Sequence, residues 1–406
     1  MIVLRRYADV LGAPHAAQAL LASLVGRLSL GMTGLALLLL VRDATGSYAR
    51  AGLVSAAYAV AFAVGAPSRA RAADRTGPRR VLLACSLLHP FAFAALVALV
   101  GAGASTVVVA GAAVAVGVTV PPVGSVMRAL WAQAVRADQL AAAYSLESVV
   151  VELCFVGGPL LVAGLFLVDP AAPALVSAAV ATIGGALLAA NPLVLGVVPH
   201  PDRSTSLAGP LVSPVVRACL LTVLWIGAGF GTIEVGVLAF VDEQGGGGAT
   251  TGVVLAVWSV GSILGGLLYG GLAPSRSAVR QLPLLVGLVA IGACLPVLAP
   301  GVVALALLLM LSGSTIAPFS SCNSLVLGAG APAGTVTEAF AWNGSMIFGG
   351  AALGTAVAGV LVEHQGARAA LALTAATGVL TALTSLAGRR ARAALDEAAR
   401  ALPGTA

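Results

Sequence analysis

Apolar residues run through this chain in long stretches, and the polar residues between them are few enough to mark boundaries. Runs of membrane-spanning length fall at roughly 15 to 41, 48 to 68, 81 to 100, 104 to 130, 140 to 168 and 172 to 198. A second set falls at roughly 214 to 241, 249 to 272, 281 to 299, 301 to 327, 335 to 362 and 367 to 388. About twenty apolar residues in a helix cross the ~30 Å hydrocarbon core, and a helix satisfies its own backbone there. The pattern therefore predicts an all-α membrane protein with twelve transmembrane helices, spans 1 to 12. It divides the chain into a first six-helix bundle at 1–198, a linker at 199–213, a second bundle at 214–388 and a tail at 389–406. No segment outside the runs is long enough to fold as a domain of its own.

The two sets repeat each other. A shift of 200 lays Gly52, Val54, Ala56, Val60 and Gly65 on Gly252, Val254, Ala256, Val260 and Gly265, with Tyr58 on Trp258. A shift of 196 lays Gly117, Thr119, Pro122 and Ser125 on Gly313, Thr315, Pro318 and Ser321, and Ala143-Tyr144 on Ala339-Phe340. Two bundles related in this way place a substrate site near the bilayer midplane, between them.

Composition agrees with a chain immersed in lipid. Of 406 residues 59% are hydrophobic and 9% charged, and the mean hydropathy is +1.04; soluble domains carry about 25% charge. The net charge of +6 comes from 21 arginines with no lysine. Seventeen fall in segments expected on the cytoplasmic side, three in outer loops (Arg42, Arg50, Arg368) and one, Arg27, inside a span. The excess of arginine on one side is topology, so a bilayer and not a nucleic acid is the expected partner. Both termini are then cytoplasmic and the protein sits in the cell membrane. Five isolated cysteines have no metal or redox spacing, and no metal or cofactor is expected. The first apolar run is too long for a signal-peptide core and reads as a retained helix.

The strongest local signal is SRARAADRTGPRRVL, Ser68 to Leu82, a basic link between spans 2 and 3. Gly77 suits a tight turn and Pro78 stiffens the exit from it. Asp74-Arg75-Thr76-Gly77-Pro78-Arg79-Arg80 resembles the loop between helices 2 and 3 of the major facilitator superfamily, roughly Gly-x-x-x-Asp-Arg-x-Gly-x-Arg-Arg, with Ala70 in place of the first Gly. The twelve spans and the duplication extend that resemblance over the whole chain. It implies the major facilitator fold, and a latch of Asp74, Arg75, Gly77, Arg79 and Arg80 docking on the cytoplasmic end of the second half. Gly157-Gly158-Pro159 resembles the Gly-Pro element of family exporters in span 5, although Val162 and Ala163 replace the glycines that usually follow. The Arg that the family often places early in helix 4 is absent.

Ionisable groups inside spans cost about 2.5–3.5 kcal/mol each on insertion scales, so each is a functional candidate. Arg27 in span 1 and Glu152 in span 5 lie at matching depth, which predicts a pair. Glu152 either takes a proton or a substrate cation and releases Arg27, or the two form a static link. Glu234, deep in span 7 after Gly227 and Gly231, is a proton or cation site or an outer-gate residue. Glu147 and Arg128 are expected to form a gate-side salt bridge. Asn343 takes the place of Glu147 in the repeat, and Glu338 is expected to cap the start of span 11. Tyr58, Trp225, Phe230, Trp258, Phe340 and Trp342 line or flank the expected cavity, either stacking on a planar substrate or packing. His89-Pro90 reads as a kink facing the outer bundle and not as a ligand, and Gly245 to Gly248 as a flexible outer turn.

The expected function is secondary active transport of a small organic molecule by alternating access, as proton-coupled export of a drug-like or amphiphilic metabolite. Proton-coupled uptake of a small nutrient, or a lipid-handling or non-transporting role on the same fold, are the alternatives. No catalytic constellation suggests an enzyme, and a monomer is expected.

Overall fold

The computed structural model describes residues 2–198, 208–272 and 277–401. Most of the expected linker (199–207) and the end of the tail (402–406) lie outside the described residues. A short helix, α1 (Ile2–Leu11), precedes the first span. The first six spans are α2 (Ala16–Thr45), α3 (Tyr48–Thr76), α4 (Pro78–Gly101), the broken pair α5 (Thr106–Thr119) and α6 (Val123–Ala134), α7 (Leu140–Phe166) and α8 (Ala172–Ala190), followed by the short α9 (Pro192–Leu195). The last six are α10 (Pro214–Glu243), α11 (Gly248–Leu272), α12 (Ala278–Cys294), the broken pair α13 (Val302–Gly313) and α14 (Ile316–Gly330), α15 (Val336–Gln365) and α16 (Ala367–Ala387); α17 (Arg389–Ala401) follows. Twelve helical segments among the described residues are long and apolar enough to cross a membrane, and the chain is a multi-pass membrane protein.

Local chemistry sets the ends of these helices. Ser47 starts α3 by accepting a hydrogen bond from the Arg50 amide. The basic stretch expected to be a loop is almost wholly helical, because its Ala and Arg residues are good helix formers. Only Gly77, at φ 96°, interrupts it, and Pro78 opens α4. Spans 4 and 10, expected to be continuous, are each broken near the middle, the first at Val120-Pro121-Pro122.

Equivalent contacts recur in the two halves. Gly117 lies against the Tyr58 carbonyl and Gly313 against the Trp258 carbonyl, each too close to admit a Cβ. Thr33 bonds Ser177 across α2 and α8 at 2.6 Å, and Thr232 bonds Thr374 across α10 and α16 at 2.8 Å. Glycines give this close approach elsewhere too: Gly158 meets Gly31, and Gly227 and Gly231 abut the α15 backbone.

The hydrophobic core is continuous at one end of the molecule and divided at the other. Near the α3–α4 turn, called here the basic end, Val126, Leu130 and Tyr144 of the first half share one core with Val215, Phe319 and Phe340 of the second. At the opposite end there are two cores. One gathers Leu37, Phe93 and Val116; the other gathers Val237, Phe240 and Leu305. One core thus spans both halves at the basic end, and each half has its own at the other.

Candidate functional site

The interior of the first half is built around the break in span 4. Pro121 and Pro122 have no N–H, so the carbonyls four residues earlier, Gly117 and Val118, lose their helical donors. Arg69 of α3 supplies the replacement: its Nη1 donates to Gly117 O at 3.2 Å and to Val118 O at 2.9 Å. Its Nη2 reaches Phe62 O at 3.4 Å. Arg69, expected on the cytoplasmic side in the basic link, is instead buried in the bundle. His89 is also buried, bonding Thr119 at 3.1 Å.

Below the break lies an ionic cluster. Arg27 is ion-paired with Glu147, and its Nη2 also donates to Gly124 O at 2.8 Å. Arg128 Nε stands 3.6 Å from the same carboxylate, and Trp131 Nε1 donates to it at 2.5 Å. The expected Arg27–Glu152 pair does not form. Five residues along a helix turn a side chain by about 140°, so Glu147 and Glu152 face different neighbours. In the second half, the Asn343 position holds only an amide pair, with Asn323 Nδ2 donating to Asn343 at 3.1 Å.

The seal at the basic end joins α3 to α15. Asp74 accepts from the Thr337 and Glu338 amides at 3.3 and 3.0 Å, placing a carboxylate from the first half on the positive N-terminus of α15. Glu338 is therefore not the cap. It takes a bidentate pair from Arg71 at 2.9 and 2.6 Å. Gly209, at φ 51°, rests against both partners with no space for a Cβ. Ser145 meets Ser321 at 3.0 Å, and Ser345 donates to Ala63 O at 2.6 Å. Tyr7 of α1 donates to Leu267 O of α11 at 2.8 Å, and burial pushes its phenol up to about 12. Of the other expected latch residues, Gly77 is buried in the turn, while Arg79 and Arg80 are exposed.

Above the seal stand the remaining candidates. Glu152 is half-buried on α7, with Ser259 and Ser262 of α11 beside it across the two halves. Ser262 Oγ itself is buried and makes no hydrogen bond. Glu234 is exposed, although α10 is the most buried span. α10 packs on α11, α14, α15 and α16. Phe230 and Trp258 meet edge to face, 5.4 Å between centroids, and Trp225 is partly exposed near them. Tyr58 and Phe340 are buried, Phe340 against Tyr144. Trp342 Nε1 donates to Glu338 at 3.4 Å and so belongs with the seal. Among the described residues no group of three His, Cys, Asp or Glu is arranged for a metal.

Sequence reasoning missed Arg69 and Arg71 as site residues. The signals were present: two consecutive prolines mark orphaned carbonyls, and Arg71 and Asp74 sit three apart on one helical face.

Twelve spans in two related sets, broken helices at the centre and a carboxylate-to-helix seal define a transporter architecture. A family model described as Major Facilitator Superfamily matches residues 19–301, and the chain belongs to that superfamily of membrane transporters. No curated protein sequence matches it. Its fold is similar to that of the human organic anion transporter MFSD10 (TETRAN), with TM-score 0.71 and 18% identity over 93% of this chain and 99% of that one. It is also similar to a bacterial homologue of the iron transporter ferroportin in an outward-facing state (TM-score 0.75, 14% identity, 92% and 98% covered). The E. coli fucose:proton symporter FucP is a third similar structure (TM-score 0.67, 12% identity, 92% and 98% covered).

Proposed function

We propose that this protein is a proton-coupled exporter of a drug-like or amphiphilic metabolite, working by alternating access. The observation that carries the reading is the divided core: one core spans both halves at one end, each half has its own at the other, and Glu152 lies on the seam between the halves. Positive charge gathers on the cytoplasmic side of membrane proteins, so the sealed basic end faces the cytoplasm, both termini lie there, and the conformation is open outward from the cell membrane. The halves at 1–198 and 214–388 rock about the linker at 199–213. Asp74, with Arg71–Glu338, latches the outward-open state. Glu152, which has serine hydroxyls beside it and no arginine, carries the coupling proton. Glu234 and the aromatic groups of α10 and α11 face the path of a monomeric carrier's substrate. The Arg27–Glu147–Arg128 cluster holds the first half rigid while the latch opens.

The test is steady-state accumulation of fluorescent amphiphiles and antibiotics in an efflux-deficient host, with and without a proton uncoupler. Expression of the wild type lowers accumulation, and both the uncoupler and Glu152→Gln restore it. Raised accumulation would reverse the direction to uptake, and an unchanged panel would remove the export reading.

A further inference from the structure

The two halves meet along two seams that the internal repeat relates. In one, α3 packs on α15; in the other, α11 packs on α7, and the repeat lays α11 (from Gly248) on α3 (from Tyr48) and α15 (from Val336) on α7 (from Leu140). The first seam carries the ionic seal of Asp74, Arg71 and Glu338. At the second, the same shifts of 200 and 196 put Pro274, Gly271 and Ala142 in their places. None of the three charges recurs there.

What stands at the second seam is α1. By chain it belongs to the first half, yet it packs on α11 of the second half as well as on α2 and α7. Tyr7 and Val10 are buried in the core that both halves share. The Tyr7 hydroxyl reaches the Leu267 carbonyl at 2.8 Å and the Gly266 carbonyl at 3.2 Å. Gly270 has no room for a Cβ, being pressed by the Tyr7 hydroxyl and by Ser145 of α7 together. On its other side α1 borders a polar groove of about 520 Å³, lined by Arg6, Asp9 and Gly12 and, across from them, Arg136, Asp138 and Gln139. The buried face of α1 thus goes to the second half and a polar one to the first.

The tie to the first half is short. Gly12 to His15 join α1 to α2, and His15, at φ 61°, is the one non-glycine residue in the left-handed region among the described residues. Its carbonyl accepts from Asn191 Nδ2 of the first half at 3.3 Å. A side chain holds that conformation where its surroundings impose it, so the first half sets the direction in which α1 leaves.

We propose that α1 is the latch of the second seam, a strap anchored on the first half that holds α11 against α7 while the basic end is closed and detaches when that end opens. This rests on the reading that the halves part at the basic end during transport. The two seams then open by different means, the first by breaking charge pairs and the second by lifting an apolar helix face.

The experiment uses the full chain in detergent with Ser145→Cys and Ser321→Cys, whose parent hydroxyls touch at 3.0 Å, so that oxidative cross-linking reports closure of the basic end. Adding Val10→Asp, which puts a charge on the docked face of α1, is expected to slow cross-linking at least fivefold. Amide exchange should rise at the basic ends of α7 and α11 and stay unchanged at the start of α15. Removal of residues 2–12 is the second variant, should Val10→Asp change the gel-filtration profile, and is expected to slow cross-linking as much. Asp74→Asn combined with either should slow it further, by factors that multiply because the seams are separate. Cross-linking unchanged by both α1 variants, or exchange rising equally at α15, overturns the proposal. If Asp74→Asn alone slows the reaction, the strap fails and the rocking reading stands; if neither Asp74→Asn nor the α1 variants slow it, the rocking reading fails with it.

Discussion

The two halves share a chain path and differ in what holds their interiors together. The first closes the break in its fourth span with charge: Arg69 on orphaned carbonyls, and Arg27 and Arg128 on Glu147. In the second, the Ser314 carbonyl beside the break packs directly on Gly265, and Asn343 pairs with Asn323. Ionic interiors bind firmly only when complete, since one missing partner leaves a buried charge. Contacts between small neutral groups lose less. The first half thus depends on charge sets that must be complete, and the second on contacts between small neutral groups.

The largest effect expected from that contrast is at Glu147. Glu147→Ala leaves Arg27 and Arg128 without their carboxylate and should cost about 3–5 kcal/mol. The equivalent change Asn343→Ala removes one amide hydrogen bond and should cost about 1 kcal/mol. Thermal or denaturant unfolding in detergent measures both, and equal losses would end the distinction between the halves. Next comes Arg69→Met, which strips the donors from Gly117 and Val118 and should cost about 2 kcal/mol. Amide hydrogen exchange should rise in α5 and α6 while α13 and α14 stay as they were.

The seal between the halves gives a smaller effect. With Ser145→Cys and Ser321→Cys in place, whose hydroxyls touch at 3.0 Å, oxidation should cross-link the halves. Adding Asp74→Asn or Arg71→Ala should slow that reaction roughly five-fold or more, the ratio that about 1 kcal/mol of lost closure produces. An unchanged rate would remove the latch role. Smallest is Tyr7→Phe, worth about 0.5–1.5 kcal/mol. Tyr7 is an acid whose folded pKa is raised from 10.0 to about 12. Its contribution is therefore complete below pH 10 and lost as pH rises through about 12. The cross-linking yield of the Ser145→Cys, Ser321→Cys protein should be flat from neutral pH to 10 and fall above it, and adding Tyr7→Phe should abolish that fall.

Hydropathy made the number of spans legible, because lipid forces every backbone group into a helix. The repeat was legible because contacts such as Gly117 on Tyr58 and Gly313 on Trp258 need the same small residue twice. Partners across the bundle were not. Arg27 and Glu152 share a depth, but depth omits the helical face, and Glu147 stands on the face that Arg27 meets. Likewise the α15 N-terminus seemed to call for its own Glu338, while a carboxylate 264 residues earlier occupies it. The ends of span 2 were misread for a different reason: arginine marks a membrane boundary by hydration, yet Arg69 has carbonyls to take the place of water.

The Arg27–Glu147 pair also bears on how the protein is made. Arg27 is synthesised 120 residues before its partner, an interval of roughly ten seconds at about 5–20 residues per second. For that time the first span carries an uncompensated guanidinium and enters the bilayer against about 2.5–3.5 kcal/mol. Until the fifth span arrives, the apolar residues of α2 alone must outweigh that cost, so the order of translation asks more of this span's hydrophobicity than the finished fold does.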